Sequence, residues 1–118
     1  MIWKIEYTDE FEGWWQKLDA RELETVAVAI QLLENRGPDL PFPYSSALAT
    51  SRYGHMRELR IQHKGNQLRV IYAFDPRRVA ILLIGGNKRG NKRWYKKFVP
   101  LADRLYEQHL IKLKLEVK

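Results

Sequence analysis

Apolar residues recur with the period of a helix in the first third of the chain and with the period of a strand in the middle. Phe11, Trp14, Trp15 and Leu18 fall at i, i+3, i+4 and i+7, one stripe, with Thr8 or Asp9 placed to cap it and Gly13 inside at a mild cost. Leu23, Val26, Ala27, Ile30 and Leu33 repeat that spacing behind Asp19-x-x-Glu22, a capping-box pattern. Asn35-Arg36-Gly37-Pro38 stops this second helix, because Pro38 cannot continue it and Gly37 can turn it. The two helices predict a hairpin whose tryptophans, with Trp3, pack in the core rather than form a binding surface. Ile2–Tyr7 ahead of them predicts a short first strand. Pro38–Pro43 is barred from helix by its prolines, so it is an extended loop that crosses the domain or docks a partner.

From His55 the period is two. Leu59 and Ile61 alternate with Glu58, Arg60 and Gln62, and Leu68, Val70, Tyr72 and Phe74 alternate with Arg69, Ile71 and Ala73. Lys64-Gly65-Asn66-Gln67 supplies a turn between them, with Gly65-Asn66 as the two loop residues. After a turn at Asp75-Pro76-Arg77-Arg78, the apolar run Val79–Ile84 predicts a strand covered on both faces. Gly85–Asn91 reads as a glycine-punctuated basic loop. Trp94, Tyr95, Phe98, Leu101, Ala102 and Leu105 then predict helix, broken or kinked near Pro100 and resuming to about Leu113. The alternating tail Lys112–Lys118 is a strand or a frayed end. These elements describe a single α+β domain over residues 1–118: a small antiparallel sheet, an N-terminal helical hairpin and a C-terminal helix.

The hairpin turn has a chemical consequence. Pairing Lys64 with Gln67 sets Arg60 opposite Ile71 and Gln62 opposite Arg69, and facing residues point to the same side. Arg60 and Arg69 then lie diagonally on one face, about 7–8 Å apart at the backbone, within reach of one phosphate or two adjacent ones. A loop of odd length would reverse that parity. On spacing alone Arg60 either serves such a phosphate or pairs with a carboxylate such as Glu58.

Charge sharpens this reading. Residues 1–51 sum to −5, residues 52–84 to +5 and residues 85–118 to +7, giving the chain its +7. An acidic first half and a basic second half in one domain suggest a one-sided positive surface, suited to nucleic acid or a ribosome. Lys88 and Arg89 follow the central strand, and Lys92, Arg93, Lys96 and Lys97 interleave with Trp94 and Tyr95. Cations neutralise phosphates and rings stack on unpaired bases; equally, these aromatics form the apolar face of the last helix. The chain has no cysteine, which excludes disulfides and thiolate metal sites. His55, His63 and His109 are scattered, and no paired-ligand spacing, Ser-His-Asp set or phosphate loop occurs, so neither metal nor cofactor is expected. The start is not that of a signal peptide and no run could span a bilayer, so a cytoplasmic protein without membrane association is expected.

Three segments resemble a known family: Leu40-Pro41-Phe42-Pro43-Tyr44 with Arg57-Glu58-Leu59-Arg60-Ile61, Leu68-Arg69-Val70-Ile71-Tyr72-Ala73-Phe74-Asp75-Pro76, and Leu82-Leu83-Ile84-Gly85-Gly86-Asn87-Lys88-Arg89-Gly90 with Trp94-Tyr95. Their order and spacing are similar to those of the RelE/ParE superfamily of toxins, nearest its HigB or phage Gp49-like branch. The resemblance implies a twisted sheet of the microbial-ribonuclease kind. It implies metal-independent cleavage of mRNA on the ribosome, inhibiting translation, and a helix-turn-helix (HigA-like) antitoxin partner. It assigns Arg69 to the scissile phosphate, Arg60 and Lys88 to the flanking basic positions, and Tyr95 more loosely to a C-terminal tyrosine. Asn87 stands where the group often has Asp, so a base at that position is lacking.

The reaction so implied is attack of a ribose 2′-hydroxyl on the adjacent phosphate. Arg60 and Arg69 would stabilise the charge that gathers on its oxygens, and Tyr95 or Lys88, each lowered in pKa by neighbouring cations, would take the proton. Arg57, Lys64, Arg89, Lys92, Arg93, Trp94, Lys96 and Lys97 would hold the strand. Two other classes remain open: a ParE-like inhibitor of DNA gyrase, and a non-catalytic RNA-binding module.

Overall fold

The computed structural model describes residues 2–116. In chain order the elements are β1 (Ile5–Tyr7), α1 (Asp9–Trp15), α2 (Ala20–Arg36), a short 3-10 turn (Gly37–Asp39), β2 (Ser45–Ala47), β3 (Arg57–His63), β4 (Asn66–Phe74), β5 (Ala80–Asn87) and α3 (Trp94–Glu116). The strands form one sheet in the order β1-β5-β4-β3-β2.

Both N-terminal caps form as the side-chain chemistry requires. Thr8 Oγ1 accepts from the Phe11 amide at 3.0 Å and donates to the Leu83 carbonyl at 2.6 Å, which ties the start of α1 to the sheet. Asp19 and Glu22 make the reciprocal capping box of α2. That helix ends at Gly37, whose φ of +56° suits glycine, and a Cβ there would come within 2.3 Å of the Trp3 indole.

The sheet is mixed rather than antiparallel. β3, β4 and β5 form the expected meander, but β1 runs parallel to β5. The α1–α2 hairpin carries the chain from β1 across one face, and a parallel pair needs such a crossover. Alternation within β1 could not reveal its partner. β2, paired antiparallel with β3, lies in a stretch where Ser45-Ser46-Ala47 shows no apolar alternation, so nothing in the pattern marks it.

The two faces bury separate cores. Leu59, Ile61, Leu68, Val70, Tyr72 and Leu82 pack under α1 and α2 with Phe11, Val26 and Leu33. Ile71, Ala73, Ile81 and Leu83 pack under α3 with Trp94, Val99, Ala102, Leu105 and Tyr106. A bulge sets Ile71 opposite Ile84 and Tyr72 opposite Leu82, so Leu83 is the extra residue of β5.

Gly85 and Gly86 belong to β5, not to a loop. A Cβ on Gly85 would lie 2.1 Å from the Trp14 indole, and one on Gly86 would lie 2.7 Å from Trp94 Nε1. Each glycine thus lets a tryptophan from an opposite helix layer press on the strand. α3 runs unbroken through Pro100, which is exposed, while Val99, Ala102, Leu105 and Tyr106 anchor it to the sheet. The expected break at Pro100 is overridden by that packing, and water can solvate the carbonyl that Pro100 leaves without a donor. The expected strand or frayed tail is helical as far as Glu116; Val117 and Lys118 lie outside the described residues. No helix among the described residues is long and apolar enough to cross a membrane.

Candidate active site on the α3 face of the sheet

The β3–β4 turn uses Lys64-Gly65, both at positive φ (48° and 82°), with His63 opposite Asn66. A two-residue hairpin loop favours positive φ at both positions, and glycine takes the second. The register is therefore displaced by two residues from the pairing of Lys64 with Gln67. Two residues is a full strand period, so every side chain keeps its face. Arg60 comes directly opposite Arg69 instead of diagonal to it.

Between the two arginines stands Glu58, only 3% exposed. Its Oε1 lies 3.5 Å from Arg69 Nε and its Oε2 lies 3.5 Å from Arg60 Nη1. Ser46 Oγ donates to Oε2 at 2.9 Å and the Tyr95 hydroxyl donates to Oε1 at 2.7 Å. Arg69 Nε also reaches the Tyr95 oxygen at 3.4 Å, and its Nη1 donates to the Leu68 carbonyl. Lys88 Nζ sits 5.3 Å from the Tyr95 ring centroid. Of the four expected catalytic residues, Arg60, Arg69 and Tyr95 thus meet around one carboxylate, and Lys88 reaches the cluster through the Tyr95 ring. Glu58, on spacing alone only one possible partner for Arg60, bridges both arginines. Its signal was the alternation, which puts Glu58 on the same face as both arginines.

Exposure divides the arginines. The Arg60 side chain is 30% exposed, and its guanidinium carbon lies 5.2 Å from the Phe42 ring centroid. Arg69 is 3% exposed and lies behind Tyr95 and Glu58. The cluster holds three cations and one carboxylate, so it remains net positive.

The expectation for the Tyr95 pKa is reversed. Burial and then the hydrogen bond to Glu58 hold the phenol above its ordinary value, and Arg69 opposes them more weakly. The cations are there, but the carboxylate between them outweighs them at the phenol.

Two of the expected nucleic-acid contacts are not available. Trp94 is 1% exposed beneath Gly86, so it cannot stack on a base. Arg57 pairs with Tyr72 in the register, which puts it on the opposite face of the sheet, where its Nε donates to Ser45 Oγ at 2.9 Å. The remaining cations do surround the site's outer side. Lys64 is exposed at the hairpin tip and Arg89 packs beside Gly65; Lys92, Arg93, Lys96 and Lys97 are exposed around the start of α3. None of them pairs with a carboxylate among the described residues.

Asn87 has a structural task. Its Oδ1 accepts from the Gln67 and Arg89 amides and its Nδ2 donates to Asn66 Oδ1 at 3.1 Å, which clamps the basic loop to the hairpin tip. An aspartate could not make that last donation. Among the described residues no group of three or more His, Asp or Glu side chains could hold a metal ion.

Comparison with known proteins agrees with this architecture. The family model described as phage-derived protein Gp49-like matches residues 13–107. A Mycobacterium tuberculosis protein named as a toxin, HigB3, is 42% identical over 102 residues, covering 86% of this chain and 88% of its own length. The Pyrococcus horikoshii RelE–RelB complex superposes with a TM-score of 0.56 at 18% identity, over 77% of this chain and 99% of the matched one. A mutant form of the Escherichia coli toxin RelE in the free state gives 0.57 at 12% identity, over 80% and 92%. At such identities the two structures show a shared fold. The family match and the HigB3 identity show more: this chain belongs to the Gp49-like family of HigB-like toxins.

Proposed function

We propose that the protein is the toxin of a type II toxin–antitoxin system and cleaves mRNA on the translating ribosome without a metal ion. The observation that carries this reading is the direct opposition of Arg60 and Arg69 on adjacent strands, with Tyr95 bound to the carboxylate between them and Lys88 against the Tyr95 ring.

Arg60 is the exposed cation and meets the scissile phosphate first. The buried Arg69 adds its charge from behind, where low dielectric strengthens the field. The ribose 2′-oxygen attacks phosphorus, the P–O5′ bond breaks, and the products end in a 2′,3′-cyclic phosphate and a 5′-hydroxyl. A phenol with a raised pKa is a poor base by itself. Tyr95 can accept the 2′-hydroxyl proton only while passing its own to Glu58, and its 2.7 Å hydrogen bond points that way. Lys88 protonates the departing 5′-oxygen. The exposed cations from Arg89 to Lys97 hold flanking phosphates, and the ribosome supplies the orientation of the strand.

The solved Pyrococcus horikoshii relative is bound to RelB. By that likeness we assign this chain an antitoxin partner too, and the family resemblance makes that partner a helix-turn-helix (HigA-like) protein.

Primer extension on RNA from induced cells tests the reading. The wild-type chain should introduce cuts in translated messages, and Arg60→Ala or Arg69→Ala should abolish them. A wild-type chain that stops growth with loss of DNA supercoiling and intact RNA would replace it with gyrase inhibition.

A further inference from the structure

A cationic centre explains how a phosphate is held but not what reads the base beside it. The ring expected for that task, Trp94, is buried, and Tyr95 is engaged with Glu58 and Arg69. Two other rings are free. Phe42 is 67% exposed and Tyr44 is 50% exposed. Large aromatic rings are ordinarily covered, and Tyr7, also exposed, lies on β1 at the far edge of the sheet.

Arg60 links the two residues, through the Phe42 ring and through the Tyr44 backbone. The Arg60 guanidinium caps the Phe42 ring at 5.2 Å, and the Arg60 amide donates to the Tyr44 carbonyl at 2.9 Å. The segment is held firmly. The amides of Tyr44 and Ser45 both bond to the Pro41 carbonyl at 3.0 Å, and Ser45 enters the sheet opposite Leu59. Phe42 and Tyr44 are therefore two exposed aromatic residues on one fixed edge segment, next to the cation that fronts the site. Fixed rings beside a phosphate-binding cation are the usual means of holding unpaired bases, since every base has a stacking face.

We propose that Phe42 and Tyr44 form a stacking platform for an unpaired base of the RNA substrate, next to the phosphate held by Arg60. This rests on the nuclease reading above and extends it to substrate positioning. The Arg60 guanidinium, whose carbon lies 5.2 Å from the Phe42 ring centroid, ties the two functions together: a base stacked on the platform sets where its own phosphate falls. The occupant is substrate RNA rather than a protein, because the neighbouring charge is cationic and the phosphate and base of one nucleotide satisfy both features at once.

The test uses ribosome-bound mRNA and single-turnover cleavage. The cut is first mapped with the wild-type chain. The base on its 5′ side, then that on its 3′ side, is replaced by an abasic ribonucleotide. The wild-type rate should fall roughly five- to hundredfold at one of the two positions, the range expected for a lost stack. Phe42→Leu/Tyr44→Leu should lose a similar factor on intact RNA and show little further loss on the abasic RNA. Phe42→Trp, which restores a ring, should recover most of the rate lost in Phe42→Leu. Urea midpoints within experimental error of wild type establish that the variants fold.

If the double variant cuts intact RNA at the wild-type rate, the platform falls and the nuclease reading stands. It falls equally if the abasic and double-variant losses multiply independently. If the wild-type chain cuts no RNA, both fall together.

Discussion

Tyr95 and Glu58 share a hydrogen bond of 2.7 Å in which the phenol is the donor. Burial raises the phenol's pKa and Glu58 raises it further, so Tyr95 stays protonated at neutral pH. The bond therefore has a direction: a proton reaching the Tyr95 oxygen has Glu58 as its exit. Tyr95→Phe removes the oxygen but keeps the ring against Lys88. Cleavage should fall about 10²- to 10⁴-fold, while stability changes by only about 1 kcal/mol. Single-turnover rates and urea midpoints check the two halves separately, and an unchanged rate would take Tyr95 out of the chemistry.

Glu58→Gln acts differently, because the carboxylate stands between Arg60 and Arg69. Arg69 is almost wholly buried, and removing its counter-charge leaves a cation in low dielectric. Breaking a buried pair from one side costs about 3–5 kcal/mol. Arg60, with 30% of its side chain exposed, adds little to that because water screens it. The double variant Glu58→Gln/Arg69→Gln should regain part of the loss. A cycle of four urea midpoints measures the coupling, and additive losses would mean that the 3.5 Å contact contributes nothing.

The two glycines of β5 predict a stability effect that has nothing to do with a phosphate loop. Gly85→Ala places a methyl group 2.1 Å from Trp14 Cε3, and Gly86→Ala places one 2.7 Å from Trp94 Nε1. Neither indole can stay where it is, and overpacking of this kind costs about 1–3 kcal/mol. Trp14→Leu beside Gly85→Ala should recover part of the loss, whereas Trp14→Leu beside Gly86→Ala should not. Thermal melts of these pairs decide whether each glycine serves its own tryptophan.

These glycines also show where the sequence stopped being readable. Gly85-Gly86 looks like the start of a flexible basic loop until the facing layers are known, because a strand that accepts an indole on each face has no local signature. The same limit hid the partner of β1, and it let Trp94 pass for a base-stacking ring. What was legible is what local physics determines: the Thr8 and Asp19 caps, the Gly37 stop, and the period of two that set Arg60, Arg69 and Glu58 on one face. Even the misjudged turn left those faces intact, since a shift of two residues preserves parity. The Tyr95 pKa was misjudged for a different reason. Counting cations along the chain cannot say that the phenol will be buried, nor that a carboxylate will stand between them.

The junction of α3 with the β4–β5 turn should contribute to both the acid and the alkaline flank of stability. Asp75 is buried, which opposes its ionisation. His109 at 2.9 Å, Arg77 and the amides of Arg77 and Val79 overcome that and hold the carboxyl below its ordinary value. A folded pKa below the unfolded one means stability that is present above about pH 4 and lost as pH falls through the folded value. Tyr106 works in the opposite sense. Burial first, then Asp75 and Tyr53, push its hydroxyl up to about 12. Its contribution is complete below about pH 10 and disappears as pH rises through 12, amounting to roughly 2–3 kcal/mol. Tyr106→Phe should therefore flatten the alkaline flank of urea midpoints measured between pH 8 and pH 12. Asp75→Asn should flatten the acid flank and also weaken the alkaline one, because Asp75 is one of the groups that hold Tyr106 protonated. An alkaline flank equally steep in Tyr106→Phe and wild type would remove Tyr106 from the transition and leave it to the other raised phenols, Tyr72 and Tyr95.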